Sequence, residues 1–189
     1  MKFDVVIVGS GPAGSSAALV CSQRGLSVCV VSDQSRSGLY DHSDVSHSVH
    51  PGTIELASRL GLSEPFQKST LSGFNGIRIG KSTQYFDKDE FWKGRHICKK
   101  TLDSSLKEKL LRINNVTFLN ASIMNFTSHI NCVELITSSG ELECRYVVDA
   151  TGRSRYFGKN LKIKDLENKN LLTLHMRIIF NIVSLIAPK

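Results

Sequence analysis

Gly9, Gly11 and Gly14 stand in the pattern G-x-G-x-x-G, with Ser10, Pro12 and Ala13 between them. Glycines at this spacing cradle phosphate when a strand leads into them and a helix leads out. The first lets the chain turn, the second leaves the backbone open to a pyrophosphate, and the third lets the helix lie close on the strand. A helix start adds free N–H groups and partial positive charge. Pro12 fits the first helical turn, where a missing N–H is no loss. Both flanking elements are present in the sequence. Residues 3–8 are a short apolar, β-branched run that reads as a buried parallel strand. From Ser15 a helix runs through Leu19, Val20 and Cys21 toward Gly25. Strand, glycine turn and helix in that order predict dinucleotide binding, against the plainer reading of a ligand-free glycine turn.

Two further positions extend that chemistry. Val28-Cys29-Val30-Val31 is a second short strand, completing a βαβ unit of ~30 residues. It should lie beside the first strand, by a right-handed crossover. An acidic residue is expected at its end to hydrogen-bond an adenosine ribose. Ser32 occupies the ideal point and Asp33 follows it. Asp33 favours a ribose with a free 2′-hydroxyl; the alternative is an exposed loop aspartate. Near the other end of the chain an apolar strand at 146–148 runs into Asp149-Ala150-Thr151-Gly152-Arg153-Ser154. Gly152 allows a turn and close approach at the edge of a parallel sheet where ligands of such sheets bind.

The segment between these motifs reads as follows. Residues 34–49 lack periodicity and predict a loop. It holds His42 and His47, with His50 just beyond, but their spacing fits no helical face and no metal site is expected. Pro51-Gly52 should start a helix over 53–60, closed by Gly61. Strands are expected at 77–79, 84–86, 96–100 and 116–119, and a helix at 102–112 capped by Thr101. Trp92 and Arg95 fall in a polar stretch, where a lone Trp reads as packing. Alternating stretches at 122–127, 131–137 and 141–146 predict an antiparallel meander.

Composition sets the class. Hydrophobic residues make up 41% and charged residues 22% of 189, which fits a globular domain. The net charge is +7, yet no basic face with groove-entering or aromatic elements marks a nucleic-acid partner. Five cysteines without C-x-x-C spacing predict reduced thiols and a cytoplasmic protein. The apolar tail at 171–187 is interrupted by His175, Arg177 and Asn181, so no membrane span is expected.

Three features together resemble the FAD-binding region of flavoprotein monooxygenases and reductases related to hydroxybenzoate hydroxylase, geranylgeranyl reductase and flavin-dependent halogenases. They are Gly9 to Gly14 with Ala18, the run Lys99-Lys100-Thr101-Leu102-Asp103 opening a helix, and Asp149 to Ser154. The fold implied is α/β: a Rossmann-like FAD-binding βαβ with a parallel sheet and a small antiparallel meander, truncated relative to the family. The implied domain spans 1–160, with an inserted partial substrate-side segment at about 34–95 and the meander at about 120–145. An atypical tail, 161–189, follows. The resemblance implies FAD, with Gly9, Gly11, Pro12, Ala13 and Gly14 at its pyrophosphate and Asp33 at its ribose. Asp149 and Gly152 would lie near the nucleotide. Family members carry Arg ahead of the Leu102-Asp103 helix; Lys99 or Lys100 stands there, keeping the charge without the planar fork. NAD(P)H would be the electron donor and a small molecule the substrate. No residue commends itself as general acid or base, so the catalytic residues are unassigned. An NAD-dependent dehydrogenase and a non-catalytic nucleotide-binding module, with a partner chain completing the fold, are the alternatives.

Overall fold

The computed structural model describes residues 1–33, 46–79, 81–86 and 92–163. His42 and the apolar tail at 171–187 fall outside them. The chain divides into two units, Met1–Arg36 with Ile113–Lys189, and Ser37–Arg112.

The first unit is built on the two apolar runs. β1 (Lys2–Val8) and β2 (Val28–Val31) pair in parallel, Val5 opposite Val28 and Val8 opposite Val31. α1 (Pro12–Gln23) joins them and packs on both. Every residue of β2 is buried, as expected for a strand covered on both faces. Asp4 fastens the far end of this βαβ unit. Its Oδ2 accepts from the Ser27 N–H at 2.9 Å and the Ser27 hydroxyl at 2.8 Å. Asn115 adds a second latch, donating to the carbonyls of Ser22 and Leu26 at 3.0 and 2.7 Å.

In the second unit, β3 (Ser46–Val49) leads into α2 (Pro51–Arg59) and α3 (Ser63–Ser69). β4 (Thr70–Phe74), a hairpin of β5 (Gly76–Ile79) and β6 (Ser82–Tyr85), β7 (Gly94–Cys98) and α4 (Lys99–Leu111) follow. β7 is the centre of an antiparallel sheet, β3-β7-β4, and α2, α3 and α4 pack against it. Two expectations change here. The stretch 46–49 is an edge strand rather than loop: its exposed Ser and His side chains give no apolar period, and pairing with β7 holds it. Thr101 sits inside α4, whose N-cap is Cys98 without a side-chain bond. α2 is capped instead by a histidine, the Gly52 N–H donating to His50 Nδ1 at 3.1 Å.

The chain returns to the first unit with β8 (Val116–Leu119), parallel to β2. β9 (Ile123–Ser128), β10 (Val133–Thr137) and β11 (Gly140–Asp149) form the meander. The expected third meander strand and the expected strand at 146–148 are one element, ten residues long. β11 runs antiparallel to β10 through residues 140–144 and parallel to β1 through residues 143–149. The sheet order is β8-β2-β1-β11-β10-β9. Its core gathers Val6, Cys29, Leu135, Leu142, Cys144 and Phe157. Phe157 comes from α5 (Tyr156–Asn160), lies edge to face with Tyr156 and tilted against Phe126, and is 1% exposed. Truncating such a ring to Ala typically costs about 3–5 kcal/mol.

Two predictions follow from these placements. Burial pushes the thiol of Cys29 up to about 11 and that of Cys144 up to about 12. Alkylation by iodoacetamide at mildly alkaline pH should run on the order of a hundredfold slower at Cys29, and on the order of a thousandfold slower at Cys144, than in the unfolded chain, as read by mass spectrometry of the labelled peptides. The Asp4 carboxyl is held below its ordinary value, first by the Ser27 N–H and then by the Ser27 hydroxyl. Its contribution is therefore complete above the unfolded aspartate pKa and is lost as pH falls through the lower folded one. Asp4→Asn should lower stability at neutral pH and flatten its acid dependence, measured by denaturant titration across that range.

Candidate dinucleotide-binding site

The glycine loop lies where β1 ends, and three backbones converge there. The Gly9 N–H donates to Val31 O at 2.8 Å, and the Ala150 N–H donates to Val8 O at 2.9 Å. Gly9 has φ +109°, a conformation side chains rarely adopt. A Cβ built on it would run into the Ala150 carbonyl, with the carbonyl carbon at 2.7 Å. A Cβ on Gly14 would collide with the Gly9 carbonyl oxygen and stand 3.2 Å from Ala150 Cβ. The first and third glycines are thus filled by protein. Gly11 is different: a Cβ there meets no atom within 4 Å.

That opening faces the start of a helix. Gly11 is the N-cap of α1, with no side-chain cap bond, Pro12 follows it, and no acidic residue stands in the first turn. An uncapped, unneutralised helix start beside open backbone fits an anion. Ser15 stiffens the loop, its hydroxyl donating to Ser10 O at 3.1 Å and its N–H to Gly11 O at 2.9 Å. The hydroxyls of Ser10 and Ser32 are 2.8 Å apart and hydrogen-bonded, tying the loop to the end of β2. The residues present therefore fit a pyrophosphate at Gly11, Pro12 and Ala13.

The other expected positions fall as follows. Asp33 lies just past β2, half-buried, and its Oδ2 accepts a hydrogen bond from the Ser122 hydroxyl. Asp149, at the end of β11, is 8% exposed and turns its carboxylate inward. Oδ1 accepts from the Thr151 N–H at 3.1 Å and the Thr151 hydroxyl at 2.6 Å. Oδ2 accepts from the N–H groups of Phe157 and Gly158 at 3.0 and 3.4 Å. Its carboxylate shapes the turn that carries Ala150 and Gly152. Gly152 has φ +60° with open space at its Cβ position. Lys99 opens α4 in the second unit and pairs with Asp103 one turn on. His47 lies exposed on β3 and His50 caps α2. Among the described residues no group of three His, Cys, Asp or Glu is placed to hold a metal ion.

Sequence reasoning gave Ser10 and Ser122 no role and marked Ser32 only by its position at the end of the second strand. Their partners lie 22 and 89 positions away, and a lone serine carries no period or motif to announce them. Asp149→Asn replaces one accepting oxygen with an NH2 facing N–H donors. It should destabilise the chain by about 2–3 kcal/mol, seen as a lower denaturation midpoint, without removing any group that faces Gly11.

A family model described as an FAD binding domain matches residues 2–185. Among curated relatives, a 1H-pyrrole-2-carbonyl-(peptidyl-carrier protein) brominase from Pseudoalteromonas luteoviolacea is 25% identical, the match covering 84% of this chain and 39% of that protein. Dihydrolipoyl dehydrogenase from Buchnera aphidicola is 27% identical, covering 90% of this chain and 33% of the relative. The chain thus spans well under half the length of these relatives. Among solved structures, OxyS anhydrotetracycline hydroxylase from Streptomyces rimosus superposes with a TM-score of 0.73 at 22% identity, covering 87% of this chain and 34% of that one. The p-nitrophenol 4-monooxygenase PnpA from Pseudomonas putida gives 0.65 at 20% identity, covering 82% and 43%. These likenesses establish a shared fold. With the family match running over nearly the whole sequence, the chain belongs to the FAD binding domain family.

Proposed function

We propose that this chain is the FAD-binding part of a flavin-dependent oxidoreductase, most like an NAD(P)H-dependent monooxygenase. The observation that carries the reading is the glycine loop: Gly9 is packed shut by the Ala150 carbonyl and Gly14 by the Gly9 carbonyl, while Gly11 stays open at an uncapped helix start. In this reading the backbone from Gly11 to Gly14 binds the two linked phosphates. The positive end of α1 offsets their charge. Asp33, steadied by Ser122, accepts from the adenosine ribose and disfavours a ribose that carries a 2′-phosphate. Gly152 leaves room at the neighbouring turn. Lys99, paired with Asp103 at the start of α4, is the cationic residue at the position where the family resemblance implies a cofactor contact. FAD, when bound, supplies two-electron transfer and oxygen activation; the protein binds, orients and shields it. NAD(P)H as donor and a small-molecule substrate complete the proposal.

A second reading is a nucleotide-binding module that works with a further polypeptide. An NAD-dependent dehydrogenase is disfavoured, because β2 is not followed by further βα repeats but by the second unit and the meander.

Gly11→Val tests the cradle cleanly. Gly11 has φ −68°, which valine tolerates, and its Cβ position is empty, so the fold should persist. The purified wild-type chain should carry a flavin absorption band and release FAD on denaturation. The variant should bind FAD at least about tenfold more weakly, with an unchanged circular dichroism spectrum. Equal affinity in the two proteins would overturn the proposal. A colourless wild type that binds NADH would favour the dehydrogenase.

A further inference from the structure

Asn75 is followed by Gly76, the single Asn-Gly pair of the sequence; every other asparagine precedes a bulkier residue. Asparagine is a chemically labile side chain. Its lability is greatest before glycine, because a residue without Cβ leaves its amide nitrogen open to the preceding side chain. The reaction asks the fold for an unengaged asparagine side chain, an unengaged amide on the next residue, and water.

The β5–β6 hairpin supplies each of these. Asn75 stands alone between β4 and β5, it is exposed, and among the described residues its side chain holds no hydrogen bond. It borders a surface groove of about 410 Å³, where water reaches it. The Phe86 N–H donates to Asn75 O at 2.7 Å, which makes 75 and 86 a hydrogen-bonded pair. Antiparallel pairs alternate, so Gly76, opposite Tyr85, directs its N–H away from β6 and outside the ladder. The bond received by the Asn75 carbonyl also polarises the peptide group that Asn75 shares with Gly76, making that N–H more acidic. Asn125 is the contrast. It is exposed too, but phenylalanine follows it, and the Phe126 N–H donates to Asn125 Oδ1 at 2.9 Å.

The glycine cannot be exchanged to protect its neighbour. A Cβ on Gly76 would stand 2.5 Å from the Gln84 carbonyl oxygen and 2.9 Å from Tyr85 Cα. Close packing of β5 on β6 therefore keeps at this position the residue that leaves Asn75 most open to attack.

We propose that Asn75 is a site of spontaneous deamidation, and that the isoaspartate it yields unlatches the β5–β6 hairpin. The Gly76 nitrogen, having given its proton to hydroxide, attacks Asn75 Cγ. A C–N bond forms, and the side-chain nitrogen takes a proton from water and leaves as ammonia. The product is a cyclic succinimide. Water adds to either ring carbonyl and opens it to aspartate or to isoaspartate, whose main chain runs through the former side chain and is one carbon longer. Either product adds a negative charge, but only isoaspartate displaces Gly76 along β6, where the clearances above leave no slack. A two-stranded hairpin is marginal by itself, and β6 is exposed along its whole length. The site shares no residue with the glycine loop, so it is independent of the flavin reading.

The full-length protein is incubated at physiological temperature over a series of pH values and sampled by peptide mass spectrometry. Isoaspartate is counted with an isoaspartyl methyltransferase and labelled S-adenosylmethionine. The peptide carrying Asn75 should show the mass change of an amide turned into an acid at least about tenfold faster than the peptide carrying Asn125. Its rate should rise about tenfold per pH unit, as the fraction of amide anion does. Asn75→Gln should abolish the isoaspartate signal from this peptide. In the converted protein, hydrogen exchange at the Phe86 amide should accelerate. Asn75→Asp adds the charge without lengthening the main chain and should exchange like freshly prepared protein. The proposal is overturned if Asn75 converts no faster than Asn125, if it converts only in urea, or if isoaspartate-containing protein protects Phe86 as the fresh protein does. None of these readouts depends on FAD, so this test and the flavin test fail separately.

Discussion

The first unit depends on a steric constraint at one point: the helix, the first strand and the last strand must come together without side chains. Gly14 sits on the Gly9 carbonyl, Gly9 sits on the Ala150 carbonyl, and Ala150 presents only a methyl group to Gly14. Any larger residue at these positions would push α1 off the sheet or part β11 from β1. With the three backbones locked, the direction of α1 is fixed, and so is the empty space over Gly11. The open space is therefore a product of packing. Two of the motif's glycines are needed by the protein itself, and the remaining one, Gly11, lies under open space.

The Asp149 carboxylate extends this logic along the chain. Four donors from Thr151, Phe157 and Gly158 converge on it. Its charge is spent on the turn after β11 and on orienting α5, which delivers Phe157 to the core. Its local partners give it a structural part in addition to the nucleotide-side position expected of it, and the turn it shapes carries Ala150 into the glycine junction.

Much of this was legible beforehand because it is local. The β-branched runs of β1 and β2, Pro12 after Gly11, and the left-handed Gly61 closing α2 announce themselves within a few residues. The strand at 116–119 has the expected bounds. What was not legible depends on partners far away in sequence. β3 has no apolar alternation and exists because β7 is beside it. α3 and β4, joined at Ser69 and Thr70 without a glycine or proline break, gave no boundary signal. The helix beginning at Lys99 takes Cys98 as its cap although Thr101 has the better chemistry, because β7 runs directly into it and leaves no loop residue to serve. The serine pairs around the cradle and the ring cluster of His50, Phe86 and Trp92 are likewise set by tertiary placement.

β11 serves two neighbours of opposite direction, and that has a bearing on how the chain acquires its fold. Hairpins β9–β10 and β10–β11 close over short distances and can zip early, whereas β1 must find β11 across about the whole length of the unit, Lys2 meeting Glu143. Long-range closure is the slow step in such topologies. On the ribosome β1 emerges first and waits, one edge satisfied by β2 and the other bare, until its partner is synthesised. The nascent chain therefore passes through an interval in which an unsatisfied apolar strand is held open to chaperones or to misassociation, and the meander, once formed, supplies the template that ends it.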